Sequence, residues 1–236
     1  MIKAVFFDLD GTLLPMDQDE FLKTYLKLLT VKTAGIGYDP KIFASSVMSA
    51  TMKVIKNDGT KTNEQMFWTE FARIFGDRVY ADVPVFDAFY ENEFEGARVC
   101  CGVNPESREI IEYLKNKGIR RILATNPVFP PVATNRRVKW AGLERDDFEL
   151  ITTYDNIGYC KPNPKYYLEI ANRCGLAPEE CLMVGNDVDD DMPAALAGLS
   201  VFLLTDCMIN KSGKDINNYP HGGFAELREY IDSLCK

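Results

Sequence analysis

Residues 3–12 read KAVFFDLDGT, a short apolar run that ends in two aspartates and a glycine turn. The run KAVFF at 3–7 is too short for a typical helix, so it predicts a strand buried in the core. Gly11-Thr12 marks the turn that ends it. In an extended chain, side chains two residues apart project to the same side. Asp8 and Asp10 therefore leave the end of this strand together.

Downstream, the pattern of the C-terminal part alternates. Helices are expected at 105–117, 130–141, 164–174, from the acidic run through Ala197, and at 223–234. Strands are expected at 119–125, 148–153, 181–185 and 201–204. Strands alternating with helices predict an α/β fold, a Rossmann-like parallel sheet with helices on both faces. Residues 16–98 read differently. Phe21, Leu22, Tyr25, Leu26 and Leu29 recur at helical spacing, and 40–56 repeats that character. Thr62 and Gln65 form a capping box before MFWTEFARIF, and Pro84 suggests the start of a further helix. The expected organisation is a core of residues 1–15 and 99–236 with an all-helical cap domain, 16–98, inserted after the first strand. Such an insertion lies beside the carboxyl ends of the strands, where ligands bind in open α/β sheets.

The composition, 46% hydrophobic and 26% charged, is that of a globular protein. A net charge of −8 argues against a nucleic-acid or anionic-membrane partner. No stretch is long and apolar enough to span a bilayer, and no signal peptide is read at the start. The seven cysteines are odd in number and include no CxxC pair, which predicts reduced thiols and a cytoplasmic location. The single histidine, His221, is placed in a surface loop, so a Ser-His-Asp triad lacks its base. A monomer is the default expectation.

Four polar elements fall at or just after strand ends: Asp8-Leu9-Asp10-Gly11-Thr12; Thr125-Asn126; Lys161 in YCKPNPKYY; and Asn186-Asp187-Val188-Asp189-Asp190-Asp191. Each has a bland reading as turn, cap or surface chemistry. Asp17 and Asp19 repeat the spacing of Asp8 and Asp10, yet they sit at the polar start of a helix, where acids suit the dipole. All four elements together, each after a strand, fit phosphoryl transfer. A divalent metal and a lysine offset the charge of phosphate and carboxylate, a carboxylate nucleophile divides hydrolysis into two steps, and a second carboxyl moves the proton.

DLDGTL, LATN, KPNP and VGND with its trailing aspartates resemble the haloacid dehalogenase-like hydrolase superfamily, over the whole core. The inserted helices are similar to that family's helical cap. The resemblance implies Asp8 as nucleophile, Asp10 as general acid and base, and Thr125, Asn126 and Lys161 around the phosphoryl group. It implies Mg²⁺ held by the Asp8 carboxylate, the Asp10 carbonyl and Asp187. Asn186, Asp190 and Asp191 are supporting residues, with Asp191 beside Lys161 or the metal shell. The chain has Asn186 before Asp187 where many members have Gly-Asp directly, so the register between Asp187, Asp190 and Asp191 stays open.

The expected activity is hydrolysis of a small phosphorylated metabolite. Alternatives are a sugar-phosphate phosphomutase of the same superfamily, a phosphorylated receiver and a catalytically silent phosphate-binding module. Carbon–halogen hydrolysis is disfavoured, because that branch lacks the aspartate supplied here by Asp10. Pro15 and 100–105 are the expected hinges of a closing lid. The cap aromatics Trp68, Phe86, Phe89 and Tyr90 read as packing residues. Arg73, Arg78 and Arg98 are cap cations that could meet an anionic substrate.

Overall fold

The computed structural model describes residues 1–235. Six strands form one sheet, all parallel: β1 (Ala4–Phe7), β2 (Arg120–Leu123), β3 (Leu150–Ile151), β4 (Cys181–Gly185), β5 (Ser200–Leu204) and β6 (His221–Gly222). Their order is β3-β2-β1-β4-β5-β6. The order reverses between β1 and β4, and their carboxyl ends flank the crevice where such sheets bind ligands.

The apolar run of β1 is explained by its position. All four residues are fully buried, because β1 lies between β2 and β4 with both faces covered. Val5 and Phe7 face the cluster built by α5 (Pro105–Asn116), α6 (Pro131–Trp140) and α8 (Phe224–Leu234). Ala4 and Phe6 face the opposite cluster, filled by Tyr166, Tyr167 and Ile170 of α7 (Pro164–Arg173).

The inserted segment is helical throughout: α1 (Gln18–Ala34), α2 (Pro40–Ile55), α3 (Asn63–Phe75), α4 (Arg78–Glu91) and a 3₁₀ stretch, Glu93–Cys100. It enters and leaves the core side by side, at a Met16–Cys101 bridge and a 2.7 Å hydrogen bond from the Gly102 amide to the Pro15 carbonyl. The expected capping box is present, with Thr62 accepting from the Gln65 amide and Gln65 accepting from the Thr62 amide. Just after it, the start of α3 is pinned to the core. The Asn63 and Glu64 amides donate to the Ile157 and Tyr154 carbonyls at 2.9 and 2.7 Å.

Several expectations need correction. Pro84 does not open a helix. It lies inside α4, which starts at Arg78 and is held by burial of Val79, Phe86 and Phe89 despite the lost amide. The helical insertion runs on to Cys100, past the expected 98. The segment after the acidic run is a short 3₁₀ turn, Met192–Ala197, that ends at Gly198 in the left-handed conformation. His221 is exposed but belongs to β6, an edge strand too short to show a pattern. β3 is also shorter than expected. All seven cysteines are free, and no helix of the described residues is long and apolar enough to cross a membrane.

Candidate active site

β1 ends at Phe7, and the next residue, Asp8, is only 7% exposed. One oxygen of its carboxylate accepts from Lys161 Nζ at 2.7 Å, and the other accepts from Thr12 Oγ1 at 3.2 Å. Thr12 is returned to this position by the turn at Gly11, where φ is +85°. A Cβ at Gly11 would stand 2.3 Å from Asn186 Nδ2, so glycine is required on both conformational and steric grounds. Asn186 follows β4. Its Oδ1 accepts from Thr12 Oγ1 at 3.1 Å, and its Nδ2 donates to the Cys207 carbonyl at 2.6 Å. The side chain thus ties the ends of β1 and β4 together.

Lys161 is 1% exposed and bridges Asp8 and Asp191, with Asp191 Oδ1 at 2.6 Å. Burial disfavours its charge, but the Asp191 and Asp8 carboxylates outweigh burial and raise its proton affinity well above that of a free lysine. Burial also pushes Asp191 up to about 7, against the pull of the ammonium. One amine faces two carboxylates, so the shared proton is assigned to Lys161. The second Asp191 oxygen accepts from the Asp187 amide at 3.0 Å and packs so closely on Gly185 that a Cβ there would stand 2.0 Å away. Asp191 is therefore a buried support of Lys161 and of the loop, at the edge of the same cavity.

The cavity above Asp8 has a volume of about 200 Å³, and Asp10, Thr125, Asn126, Lys161, Asn186, Asp187, Asp190 and Asp191 also line it. Every residue expected at the site from the sequence is brought to this one place. Thr125 follows β2, and its carbonyl is fixed by Tyr166 Oη and Thr152 Oγ1 at 2.8 and 2.7 Å. Asn126 donates to Asp190 Oδ2 at 3.3 Å, while its own Oδ1 is buried without a partner. Asp187 Oδ1 accepts from the Asp189 and Asp190 amides at 2.7 and 3.1 Å. Asp189 points elsewhere, to the Ser212 amide and Lys214.

Sequence reasoning missed Arg137. This residue of α6 is fully buried, forms an ion pair with Asp10 Oδ2 and lies 4.3 Å above the Phe129 ring. Nothing in TNRRVKW distinguishes it from its exposed-looking neighbours, because only the packing of α6 beneath the site selects it. Burial raises the pKa of Asp10, while Arg137 opposes that and Asp8 adds to it. Asp10 Oδ1 is buried and unpartnered. Gln18, at the start of α1, donates to the Asp10 carbonyl at 2.8 Å. None of the three cap arginines considered from the sequence lines this cavity. Arg73 pairs with Glu70, Arg78 with Asp82 and Arg98 with Glu95.

The side chains here are oxygen donors of the kind a hard divalent cation takes, although among the described residues no three acids stand as a ready-made metal cluster. Asp8, Asp187 and Asp190 line one small cavity with Lys161, whose charge is already shared with Asp191. Burial, together with the neighbouring Asp187 and Asp8, raises the pKa of Asp190 even though Lys161 opposes this. The unpartnered Asn126 Oδ1 adds a neutral oxygen of the kind Mg²⁺ accepts.

A family model described as haloacid dehalogenase-like hydrolase matches residues 2–198. A glyceraldehyde 3-phosphate phosphatase from Methanothermobacter thermautotrophicus is 26% identical over 92% of this chain and 94% of its own length. A phosphoglycolate phosphatase from Nitrosospira multiformis is 26% identical over 85% of this chain and 82% of its own. Among solved structures, a HAD phosphatase from Thermococcus onnurineus shares the fold, with a TM-score of 0.58, 22% identity and 98% of each chain covered.

Proposed function

The chain belongs to the haloacid dehalogenase-like hydrolase family, and from that premise we propose that it hydrolyses phosphomonoesters of small metabolites through a phosphoryl group carried on Asp8. The observation that carries this reading is the pairing of a buried Asp8 carboxylate with Lys161 at 2.7 Å, on a cavity shared with Asp10. The phosphatase names of the two relatives support it.

In this reading an Asp8 oxygen attacks phosphorus. The bond from phosphorus to the ester oxygen breaks as the Asp8–phosphorus bond forms. Asp10, whose protonated form burial favours, gives its proton to the departing oxygen. Lys161 offsets charge on the phosphoryl oxygens, and Thr125 and Asn126 orient them. Asp10, now ionised, takes a proton from a water that attacks the same phosphorus, and phosphate leaves with Asp8 restored. Arg137 holds the Asp10 carboxyl in place through this exchange.

Mg²⁺, when bound, would supply charge neutralisation on the phosphoryl group, held by Asp8, the Asp10 carbonyl and Asp187, with Asp190 beside them. Residues 16–98 act as the cap domain of a core made of 1–15 and 99–236. They exclude water from the site and leave room for a small molecule rather than a macromolecule.

The deciding experiment is phosphate release from a panel of phosphorylated metabolites, with Mg²⁺ or EDTA, for the native chain and Asp8→Asn. Mg²⁺-dependent release that the substitution abolishes is the expected result. Isomerised sugar phosphate without released phosphate would replace this reading with a phosphomutase, and full activity of a deamidation-free Asp8→Asn would overturn the mechanism.

A further inference from the structure

Beside the site lies a second cavity, of about 290 Å³, between the cap and the core. Gln18, Leu22, Val128 and Phe129 line both cavities, so the two spaces are neighbours with these four residues at their junction. The second is walled on the cap side by α1, α2, α3 and α4, with Trp68, Phe67 and Val47 among them, and on the core side by Phe129, Pro130 and Tyr154.

The hydroxyls of Tyr25, Tyr90 and Thr51 in this chamber are already engaged. The Tyr25 and Tyr90 hydroxyls bond each other at 2.8 Å, and Thr51 Oγ1 donates to the Val47 carbonyl at 2.9 Å. Among the described residues its lining contains no lysine, arginine or histidine, and the one charged residue there is an acid, Asp87. Arg137 is sealed beneath Phe129 and committed to Asp10, and Lys161 is held between Asp8 and Asp191. A carboxylate or second phosphate on the leaving group would enter this space without a cation to meet it, which is costly. Apolar surface would be favoured there.

The geometry points to a phosphomonoester whose leaving group is apolar, free of negative charge and about one to two rings in size, seated in this chamber while its phosphoryl group stands at Asp8. An apolar cavity of about 150 Å³ is enough for a benzene ring, so the chamber has room for more than one. The inference rests on the phosphatase reading for the placement of the phosphoryl group. It sets this chain apart from the relatives named for phosphoglycolate and glyceraldehyde 3-phosphate.

The test compares 2-phenylethyl phosphate with phosphoglycolate, two primary alkyl esters, so that leaving-group reactivity does not decide the outcome. In parallel, binding of the phosphonates 2-phenylethylphosphonate and phosphonoacetate is followed through tryptophan fluorescence and calorimetry, with Mg²⁺ present. The expected result is at least tenfold higher kcat/KM for the phenylethyl ester and tighter binding of the phenylethyl phosphonate. Thr51→Trp, which fills the chamber, should lower the ratio of the two kcat/KM values at least fivefold. Met48→Arg, which brings a cation to the same wall, should lower it from the other side by favouring phosphoglycolate. Circular dichroism identifies whichever variant folds. Equal or reversed preference in the native chain, or an unchanged ratio in both folded variants, would overturn the inference. Selective phosphonate binding without cleavage of any ester would overturn the phosphatase reading and leave the chamber's chemistry standing.

Discussion

The floor of the site and the chamber beside it are lined by opposite chemistries. On the floor, Asp8, Asp10, Asp187 and Asp190 line one small cavity with Lys161, all delivered by loops that follow core strands. In the chamber, aromatic and aliphatic residues from four cap helices face a few apolar core residues, and the one formal charge is Asp87. A reaction centre needs fixed groups within an ångström or so, and strand ends in a rigid sheet hold them so. A chamber for an apolar group needs volume and mostly apolar walls, which dispersed helical residues supply.

The contrast can be broken first at the nucleophile. Asp8→Asn is expected to cut turnover by at least about 10³-fold with an unchanged circular dichroism spectrum. Retained phosphate release would show that the floor does not carry the chemistry. Lys161→Ala should come next and act on two properties at once. Besides losing activity, it strands the buried Asp191, and breaking such a pair costs roughly 3–5 kcal/mol. Urea unfolding measures that loss, and native stability in the variant would mean the pair is not what holds the loop.

Arg137→Met should lower kcat by about 10²-fold while leaving KM for the phosphate ester little changed, because it acts on Asp10 rather than on substrate. A rise in KM with normal kcat would make Arg137 a binding residue instead. Asp187→Ala is expected to raise the Mg²⁺ concentration for half-maximal activity at least about tenfold. Asp190→Ala, measured in the same titration, should have the smaller effect, and the opposite ranking would move the metal ligand to Asp190.

The smallest effect belongs to the aspartate pair that mimics the site. Asp17 caps α1, accepting from the Asp19 and Glu20 amides at 3.0 Å each. Asp17→Ala should cost about 1 kcal/mol of stability in a denaturant melt. Its kcat should match the native value. Loss of activity would show that the cap's first turn, with Gln18 bonded to the Asp10 carbonyl, reports on the chemistry more directly than the contrast allows.

Much of this molecule was legible before folding. Apolar runs of strand length, ending in acids, amides or a glycine, marked β1 and β4, because a central parallel strand must be apolar on both faces and its end must turn, and β2 was marked by RILA running into Thr125-Asn126. The helical insertion was legible from its period, and the Thr62 capping box from a local hydrogen-bond pattern. What escaped had no local signature. Pro84 inside α4, the short edge strands β3 and β6, and the 3₁₀ turn at Met192–Ala197 are each set by what packs against them.

The sequence by itself determined the alternation of strands and helices and the four polar elements at strand ends, since both follow from the chemistry of neighbouring residues. Only the tertiary structure decided that Arg137 meets Asp10, that Asp191 bonds Lys161 while Asp190 accepts from Asn126, and that the cap encloses a chamber whose described lining has no cation. Asp10 and Arg137 are 127 positions apart, and the chamber's walls come from four helices and two core loops. Such groups meet because the sheet and its helices bury apolar surface as one body. No window of sequence contains the distances that result.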